Sequence, residues 1–444
     1  MSWEVDVDQF FQQLVIGLSL GSLYALIAVG YTVVYGIVQL INFAHGEVFM
    51  IGGFGALTTY LLFFEGHTSV WILPVMLVGA ILASVGTAVA MERVAYRPLR
   101  NAPRLAPLIT AIGISVFLQE FIRLFYDRPV WTVPVFALLA VGAAYWVGSR
   151  RTKVNLNHPV TKWRDRAPLL GSGAGALAAW IVLRVVQPDY NPLLSIVFFL
   201  VSAVVGTAVG LLVARFGGTA ERATALRDAI WQSAVAGALV LELFWLVYQE
   251  LIKHVDWPTG KQRTTFPSID VVSGTAIEVG GVTIQRAAIF TVLLLVVCTV
   301  LLWYFINRTK LGRGMQAVSQ DPDTARLMGI NVDRIIVVAF ALGAVLAAVA
   351  GLAQGVQNSL IDYRMGFLAG LKAFTAAVLG GIGNIQGAVL GGLLLGVVES
   401  LATQYIPGQF GGSSWKDVWA FVILILVLVF RPQGLLGARV VDRA

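Results

Sequence analysis

The chain contains very little charge for its length. Only 12% of its 444 residues are Asp, Glu, Lys or Arg, and the mean hydropathy is +0.80. Because a soluble domain carries about 25% charged residues, this composition excludes a soluble globular protein. The net charge of +7 does not indicate nucleic-acid binding, since most basic residues lie in short loops between apolar runs.

Residues on which many enzymes and metal sites depend are equally scarce. The single cysteine, Cys298, permits neither an internal disulfide nor a CxxC site. The four histidines are far apart without HExxH spacing, and the sequence has no GxxxxGK[ST] loop to bind ATP. GLSLG at 17–21 matches the GxSxG pattern of hydrolases, but it lies in an apolar run rather than at a strand-to-helix turn. We therefore expect no enzymatic activity, no metal site and no cofactor in this chain.

The chain is rich in apolar runs, each close to or above the roughly 18 residues that cross a bilayer as a helix. They predict an all-α, polytopic transmembrane helical bundle of about 12 to 13 segments. The predicted segments are 12–36, 47–64, 70–91, 106–126, 130–148, 168–187, 192–214, 229–252, 286–307, 333–353, 367–382, 385–404 and 417–431. Because the segment 367–382 is short and glycine-rich, it either spans the bilayer or re-enters it.

Basic residues concentrate in alternate loops, which predicts the orientation of the bundle. The basic segments are 92–104, 150–166, 215–227, 308–314 and the C-terminal tail. If the segments alternate as predicted, all of these lie in the cytoplasm, together with the C-terminus, and the N-terminus lies outside. The loop 150–166 could also contact anionic lipid headgroups, although the orientation rule alone accounts for its charge.

Two loops have sequences that predict structure outside the bundle. In 257–285, AIEV and VTIQ alternate apolar and polar residues around Gly280 and Gly281, which predicts an extracytoplasmic β-hairpin. In 312–334, Asp321 is a natural N-cap followed by proline, and Gly329 is a C-terminal stop. The second loop therefore contains a short helix, which is either a solvated connector or a docking helix on the cytoplasmic face.

A polar cluster of Asn42, His45 and Glu47 interrupts a long apolar region near the N-terminus. One interpretation is a cytoplasmic junction between the first two spans, where Gly46 permits the turn and Asn42 and Glu47 satisfy free helix ends. The other is a break deeper in the membrane, where the three polar side chains line an inner gate. The sequence leaves both interpretations open.

Glycines in 369–400 recur at the spacing that lets transmembrane helices approach closely. The residues predicted to pack helices in this way are Gly383, Gly387, Gly391 and Gly396, which follow GxxxG spacing with Gly392. In the same region GGIGN at 380–384 is expected to break a helix near the membrane, and broken helices are typical of transport sites.

Asn384 and Lys372 are therefore candidate pathway residues, although Lys372 could instead snorkel to the membrane surface. Other charges within predicted spans are expected to face the protein interior or a cavity, because a charge in lipid is costly. These are Glu120, Arg123, Glu242 and Glu399.

Four motifs together resemble the permease subunits of branched-chain amino acid ABC importers, specifically the shorter of two sister permeases. In chain order they are LGSLYALIAVGYTVVYGIVQLINFAHGEVFMIGG, ERVAYRPLR followed by LITAIGISVFLQE, GRGMQAVSQDPDTARLMGINVDR, and LKAFTAAVLGGIGNIQGAVLGG. The resemblance covers 1–126 and 257–444. It implies an N-terminal permease core (1–126), an inserted region with four extra apolar helices (127–256), an extracytoplasmic loop (257–285) and a C-terminal core (286–444).

The resemblance implies a multi-pass protein of the cell inner membrane that imports leucine, isoleucine, valine or related small amino acids or amides. Its partners would be a sister permease, two cytoplasmic ATPase subunits that bind the ATP, and a periplasmic or extracellular substrate-binding protein. The loop 312–334 would dock onto an ATPase, with Ser319, Asp321, Ala325 and Gly329 as coupling residues. The residues disfavour two other functions. A stand-alone secondary transporter needs ionisable residues near the membrane midplane, whereas most charges here lie near the ends of the predicted spans, and an intramembrane enzyme needs a catalytic constellation that the sequence does not show.

Overall fold

A computed structural model describes most of the chain. The described residues are 7–39, 42–100, 102–103, 105–127, 132–156, 163–186, 192–216, 220–249, 255, 257, 263–431 and 433–437. The first six residues, part of the basic loop 150–166, His158 and His254 lie outside these ranges.

The described residues form α-helices with few and short strands. The helices are α1 Val7–Val38, α2 His45–Phe63, α3 Ile72–Met91, α4 Leu105–Asp127, α5 Thr132–Leu156, α6 Trp163–Val186, α7 Pro192–Phe216, α8 Ala220–Val247, α9 Arg286–Arg308, α10 Lys310–Gln320, α11 Pro322–Leu327, α12 Val332–Asn358, α13 Met365–Gly380, α14 Ile385–Tyr405 and α15 Lys416–Phe430. The strands are β1 Arg263–Thr265, β2 Thr275–Val279, β3 Val282–Gln285 and β4 Leu360–Asp362. Ten helices within the described ranges are long and apolar enough to cross a membrane, which confirms the predicted all-α, polytopic membrane fold.

Helix α13 is the short segment that the sequence left undecided. Its 16 residues extend about 24 Å at 1.5 Å per residue, less than the roughly 30 Å of a bilayer core. The predicted break at GGIGN is confirmed, because α13 ends at Gly380 and α14 begins only at Ile385. Gly381 and Gly383 within the break have φ values of +108° and +94°, a region that favours glycine.

The C-terminal segment supplies hydrogen-bond donors to the last carbonyls of α13. Because the last carbonyls of a helix have no partner within it, they require donors from elsewhere. The backbone N–H of Leu435 donates to the carbonyl of Leu379 at 2.8 Å, and that of Leu436 donates to the carbonyl of Gly380 at 2.9 Å. The sequence did not predict this contact, since it joins residues more than fifty positions apart.

The predicted β-hairpin is confirmed. Strands β2 and β3 pair antiparallel with Val279 opposite Val282, and Gly280 and Gly281 both adopt positive φ, as a tight hairpin turn requires. A second antiparallel pair, β1 with β4, was not predicted because its strands are separated by nearly a hundred residues. This pair joins the loop before α9 to the segment between α12 and α13.

The chain divides into two compact units, residues 1–123 with 260–444, and residues 124–259. In the second unit, helices α5, α6 and α8 bury Ala140, Trp180 and Leu241 together. That unit also contains a buried hydrogen bond from Ser172 to Ser233 at 2.8 Å. The interpretation of 127–256 as an insertion into a permease core stays a prediction.

In the first unit, glycines allow the backbones of several helices to touch. A side chain at Gly396 of α14 would overlap the backbone of α1 at Gly21, and one at Gly391 would overlap α13 at Ala376. Gly387 lies against Gly380 in the same way. Such close approach is how membrane helices associate when lipid supplies no hydrophobic driving force.

Two glycines have roles other than those expected. Gly383, predicted to pack helices, lies in the α13–α14 turn, and nothing lies within 4 Å of the position its Cβ would take. Gly46, predicted to permit the turn before the second span, lies inside α2. A side chain there would overlap α13 at Gly366 and Gly370, so Gly46 serves packing, and the positive φ in the preceding segment, +53°, belongs to Gln39.

Replacing Gly396 with alanine should destabilise the first unit by about 1–3 kcal/mol, because the new methyl group forces α1 and α14 apart. Unfolding of the detergent-solubilised protein can be followed with a thiol-reactive dye, since Cys298 is the only cysteine. The matched control is Gly86→Ala in α3, where the added Cβ meets open space and stability should stay equal or rise by about 0.4–1 kcal/mol. Equal stability of the two variants would contradict the close-contact interpretation.

Candidate functional site

The loop between α9 and α12 contains a short helix with well-formed ends. At its start, the side chain of Asp321 accepts the backbone N–H of Asp323 at 2.9 Å and that of Thr324 at 3.2 Å, which is an N-cap. At its end, Gly329 adopts a φ of +82° and Ile330 N–H donates to the carbonyl of Ala325 at 3.0 Å, as in a Schellman motif. The predicted helix α11 is therefore confirmed.

The acidic cap of α11 is formed at neutral pH. The hydroxyl of Thr324 donates to Asp321 at 2.5 Å and, with the backbone N–H groups of Thr324 and Asp323, holds the pKa of this carboxyl below its usual value. Because the folded-state pKa of Asp321 is lowered, the contribution of this cap to helix stability is complete above the unfolded-state pKa of about 3.9. It is lost only as the pH falls from there through the folded-state value.

Helix α11 buries the side chain of Ala325 and exposes the apolar side chains at its C-terminal end. Ala325 is 3% exposed, whereas Leu327 and Met328 are 88% and 78% exposed. Asp321 and Gly329 are also exposed, and half-buried Ser319 donates its hydroxyl to the carbonyl of Gln316 at 2.8 Å. Exposed neighbouring apolar side chains at the end of a polar loop are typical of a protein contact surface.

An ionic network connects the exit of this loop to the segment after α3. Asp333, in the first turn of α12, accepts from Arg97 at 2.5 Å and from Arg100 at 2.6 Å. Arg100 also contacts the fully buried carboxylate of Glu92. The network therefore joins the first turn of α12 to the segment after α3.

A second polar cluster lies inside the bundle around Lys372 of α13. Its ammonium donates to Glu399 of α14 at 2.7 Å and to the hydroxyl of Tyr24 of α1 at 3.1 Å. It also contacts Asp417 of α15 at 2.5 Å. Because Lys372 is 4% exposed, the snorkelling alternative is wrong, and this one ammonium joins four helices.

Asn42, His45 and Glu47 are all buried in the described structure, and each contacts a different element. Asn42 accepts the N–H of Ala44 at 3.1 Å and the hydroxyl of Tyr96 at 2.6 Å. Its first contact satisfies a backbone donor at the start of α2, as the junction interpretation predicts.

The other two members of that cluster do not serve as helix caps. The ring of His45 packs edge-on against Tyr31, with 4.7 Å between centroids. Glu47 accepts from Ser115 at 2.7 Å and from Gln119 at 2.8 Å, both on α4, so the expectation that it satisfies a helix end is wrong. A role of the three residues as an inner gate stays a prediction.

Asn384, the remaining pathway candidate, is the N-cap of α14. Its side chain accepts the N–H of Gly387 at 3.1 Å and donates to the carbonyl of Leu436 at 2.9 Å. Both contacts are structural, and a pathway role stays a prediction.

The charges expected to avoid lipid behave in two ways. Glu242 pairs with Arg184 at 2.6 Å, and their side chains are only 12% and 4% exposed. Glu120 and Arg123 form the pair that their spacing predicts, at 2.6 Å, but their side chains are 46% and 43% exposed. This second pair is therefore not buried within the chain, and the alternative expectation that it faces a cavity stays a prediction.

Sequence reasoning did not find the partners that complete these clusters. Tyr24, Ser115 and Gln119 are ordinary residues within apolar helices, and Asp417 resembles a helix-start charge. A polar residue within an apolar run was the only available signal, and it does not identify which helix supplies the partner.

Taken together, these features define a polytopic helical membrane protein with an exposed, capped short helix in one loop and a charged cluster within its bundle. A family model described as the permease component of branched-chain amino acid transport systems matches residues 13–137 and 170–428. The chain therefore belongs to this family.

Individual relatives carry the same description. The chain is 34% identical over 443 residues to the high-affinity branched-chain amino acid transport system permease protein BraD of Pseudomonas aeruginosa, with 99% of each chain covered. It is 32% identical to the corresponding protein LivH of Escherichia coli (strain K12), covering 98% of this chain and 97% of that one. A probable branched-chain amino acid transport permease protein of Methanocaldococcus jannaschii is 28% identical over 253 residues, covering 55% of this chain and 75% of the relative.

Replacing Asp321 with alanine should increase amide hydrogen exchange in residues 323–328, because the N-cap of α11 is lost. Asp321→Asn should exchange like the wild type, since asparagine also caps helices. Asp323→Asn, which breaks only the exposed ion pair with Arg326 at 2.9 Å, serves as a further control. Unchanged protection in the alanine variant would show that the cap does not hold this helix.

Proposed function

We propose that this chain is a permease subunit of an ATP-driven importer for branched-chain or related small amino acids, and that it has no enzymatic activity of its own. The observation that carries the proposal is α11, a capped helix of six residues with Leu327 and Met328 exposed. A helix this short cannot cross a bilayer, and its apolar end fits a groove on a partner protein. Membership of the permease family supports a separate ATPase as that partner.

The proposed partners provide the steps of import that this chain does not perform itself. Two cytoplasmic ATPase subunits bind and hydrolyse ATP, a sister permease completes the membrane pore, and an external binding protein delivers the amino acid. Relatives named as components of high-affinity transport systems support such an assembly. In this arrangement the chain lies in the cell inner membrane, with α11 and the C-terminus in the cytoplasm and the β2–β3 hairpin outside.

Coupling in this proposal is mechanical. Closure of the ATPases displaces α11, and the displacement passes to α12 directly and to the segment after α3 through Asp333, Arg97 and Arg100. Helix α12 packs against α1, α2 and α3, so a tilt of α12 changes how the core helices meet. The permease then exchanges between outward-open and inward-open packings, each differing from the other by a small free energy.

Gly329→Pro and Asp321→Arg should each lower ATP-dependent uptake of labelled leucine at least about tenfold, since both disrupt the ends of α11. Uptake is measured in vesicles that contain this chain, its sister permease, the ATPases and the binding protein, and assembly of the permease pair is checked by co-purification. Arg326→Gln is the control, because its side chain is exposed and pairs only locally with Asp323.

Two outcomes would overturn parts of the proposal, the first the coupling role of α11 and the second the ATP-driven importer itself. Normal coupled uptake in both α11 variants would show that this helix does not transmit the work of ATP. Uptake by this chain alone, without ATP or partners, would instead favour a stand-alone secondary transporter, for which the buried Lys372–Glu399 pair would be the ionisable centre.

A further inference from the structure

A cavity of about 400 Å³ lies beside the Lys372 cluster. It is bordered by the end of α12, strand β4 and the first residues of α13 and α15, which is the end of the first unit away from α11. Small-molecule sites usually have volumes of about 300–1,000 Å³, so the space admits a free amino acid. Tyr24, Lys372 and Asp417 all line it, which places the charged cluster in its wall.

Charge in this cluster is unbalanced. The carboxylates of Glu399 and Asp417 share the single ammonium of Lys372. Glu399 is 1% exposed, and within the described part of the chain its Oε2 has no hydrogen-bond partner. Because a buried carboxylate oxygen without a donor is unfavourable, Glu399 depends on Lys372 and Tyr24. Three further basic side chains line the wider cavity, namely Arg263, Arg364 and Lys416.

The two carboxylates differ in access. Asp417 has a side chain 36% exposed, whereas those of Lys372 and Glu399 are 5% and 1% exposed. A solute that enters the cavity therefore reaches the Lys372–Asp417 pair first. Lys372 would still keep Glu399 and Tyr24 as partners if Asp417 turned away.

Apolar side chains form much of the remaining wall. Leu20 of α1 and Met365 and Leu368 of α13 line the cavity near the charged cluster. A ligand with an ammonium, a carboxylate and an aliphatic side chain would find a complementary partner for each group within one space.

We propose that this cavity, together with Lys372 and Asp417, is a vestibule that binds the zwitterionic head of an aliphatic α-amino acid. The ligand ammonium pairs with Asp417, its carboxylate pairs with Lys372, and its side chain lies against Leu20, Met365 and Leu368. The inference rests on the proposed import function and deepens it by assigning a substrate site within this chain.

Binding in this way exchanges one ion pair for two. The Lys372–Asp417 contact, which joins α13 to α15, is replaced by one contact from each residue to the ligand, so no charge is left without a partner. Other basic side chains also line the cavity, namely Arg263, Arg364 and Lys416. A ligand without the ammonium that displaced Asp417 from Lys372 would nevertheless offer Asp417 no partner in exchange. The vestibule thus favours zwitterions over a carboxylate alone, and occupancy breaks this one ion pair between α13 and α15.

The test measures binding of labelled leucine to the complete membrane complex in nanodiscs, without nucleotide and without the binding protein. Leucinamide, which lacks the carboxylate, and 4-methylpentanoate, which lacks the ammonium, serve as competitors. Wild type should bind leucine best and 4-methylpentanoate least. Asp417→Asn should raise the Kd for leucine about tenfold or more, the loss of one charge-assisted contact, and should reduce the preference for leucine over 4-methylpentanoate.

A lysine variant tests the other half of the site. Because Lys372→Met alone leaves Glu399 buried and unpaired, it is combined with Glu399→Gln. This double variant should bind leucine and leucinamide equally, since the partner of the carboxylate is gone. Asp270→Asn is the matched control, because Asp270 lies in the extracytoplasmic loop and does not line the cavity, and its Kd values should equal those of the wild type.

ATP-dependent uptake of labelled leucine is measured in parallel, so that failure of the vestibule can be distinguished from failure of the proposed import function. If the complete wild-type set imports leucine but the complex binds no leucine, or binds it equally in Asp417→Asn, the vestibule is overturned and the import function stands. If the wild-type set imports no branched-chain amino acid, the proposed function is overturned whatever the binding shows.

Discussion

Contact between helix backbones at glycine is the constraint on which the first unit depends. Helix α14 touches α1 at Gly396 and touches α13 at Gly391, and α2 touches α13 at Gly46. In lipid, apolar side chains gain nothing by leaving one apolar surface for another, so association relies on close packing and polar contacts. A methyl group at any of these positions would separate two helices and remove both kinds of stabilisation.

The same close approach makes a buried ion cluster possible. Lys372, Glu399 and Tyr24 come from α13, α14 and α1, the helices that the glycines bring together. At a wider spacing, the ammonium would lie in the bundle without its carboxylate, and breaking a buried pair costs about 3–5 kcal/mol. The charges in turn favour this packing, because separating the helices would leave Lys372 or Glu399 buried without its partner. Packing and charge therefore depend on each other here.

Helix α12 connects the two polar regions of the first unit. Its 27 residues extend about 40 Å, from the capped loop around α11 at one end to the strand β4 beside the cavity at the other. A rigid element of this length can carry a displacement between the two ends without a chain of side-chain rearrangements. The network of Asp333 with Arg97 and Arg100 holds its first turn in place.

Features that depend on neighbouring residues could be predicted from the amino-acid sequence. Apolar runs predicted the helices, Gly280 and Gly281 predicted the hairpin, and Asp321 with Gly329 predicted the ends of α11, because hydropathy, turns and caps act over a few residues. Tertiary structure decided what depends on distant ones. It placed Gly46 in a helix contact and Gly383 in a turn. It also paired Lys372 with Asp417 and Glu47 with Ser115. The partner of a buried charge is chosen by which helices pack together, and no local pattern encodes that choice.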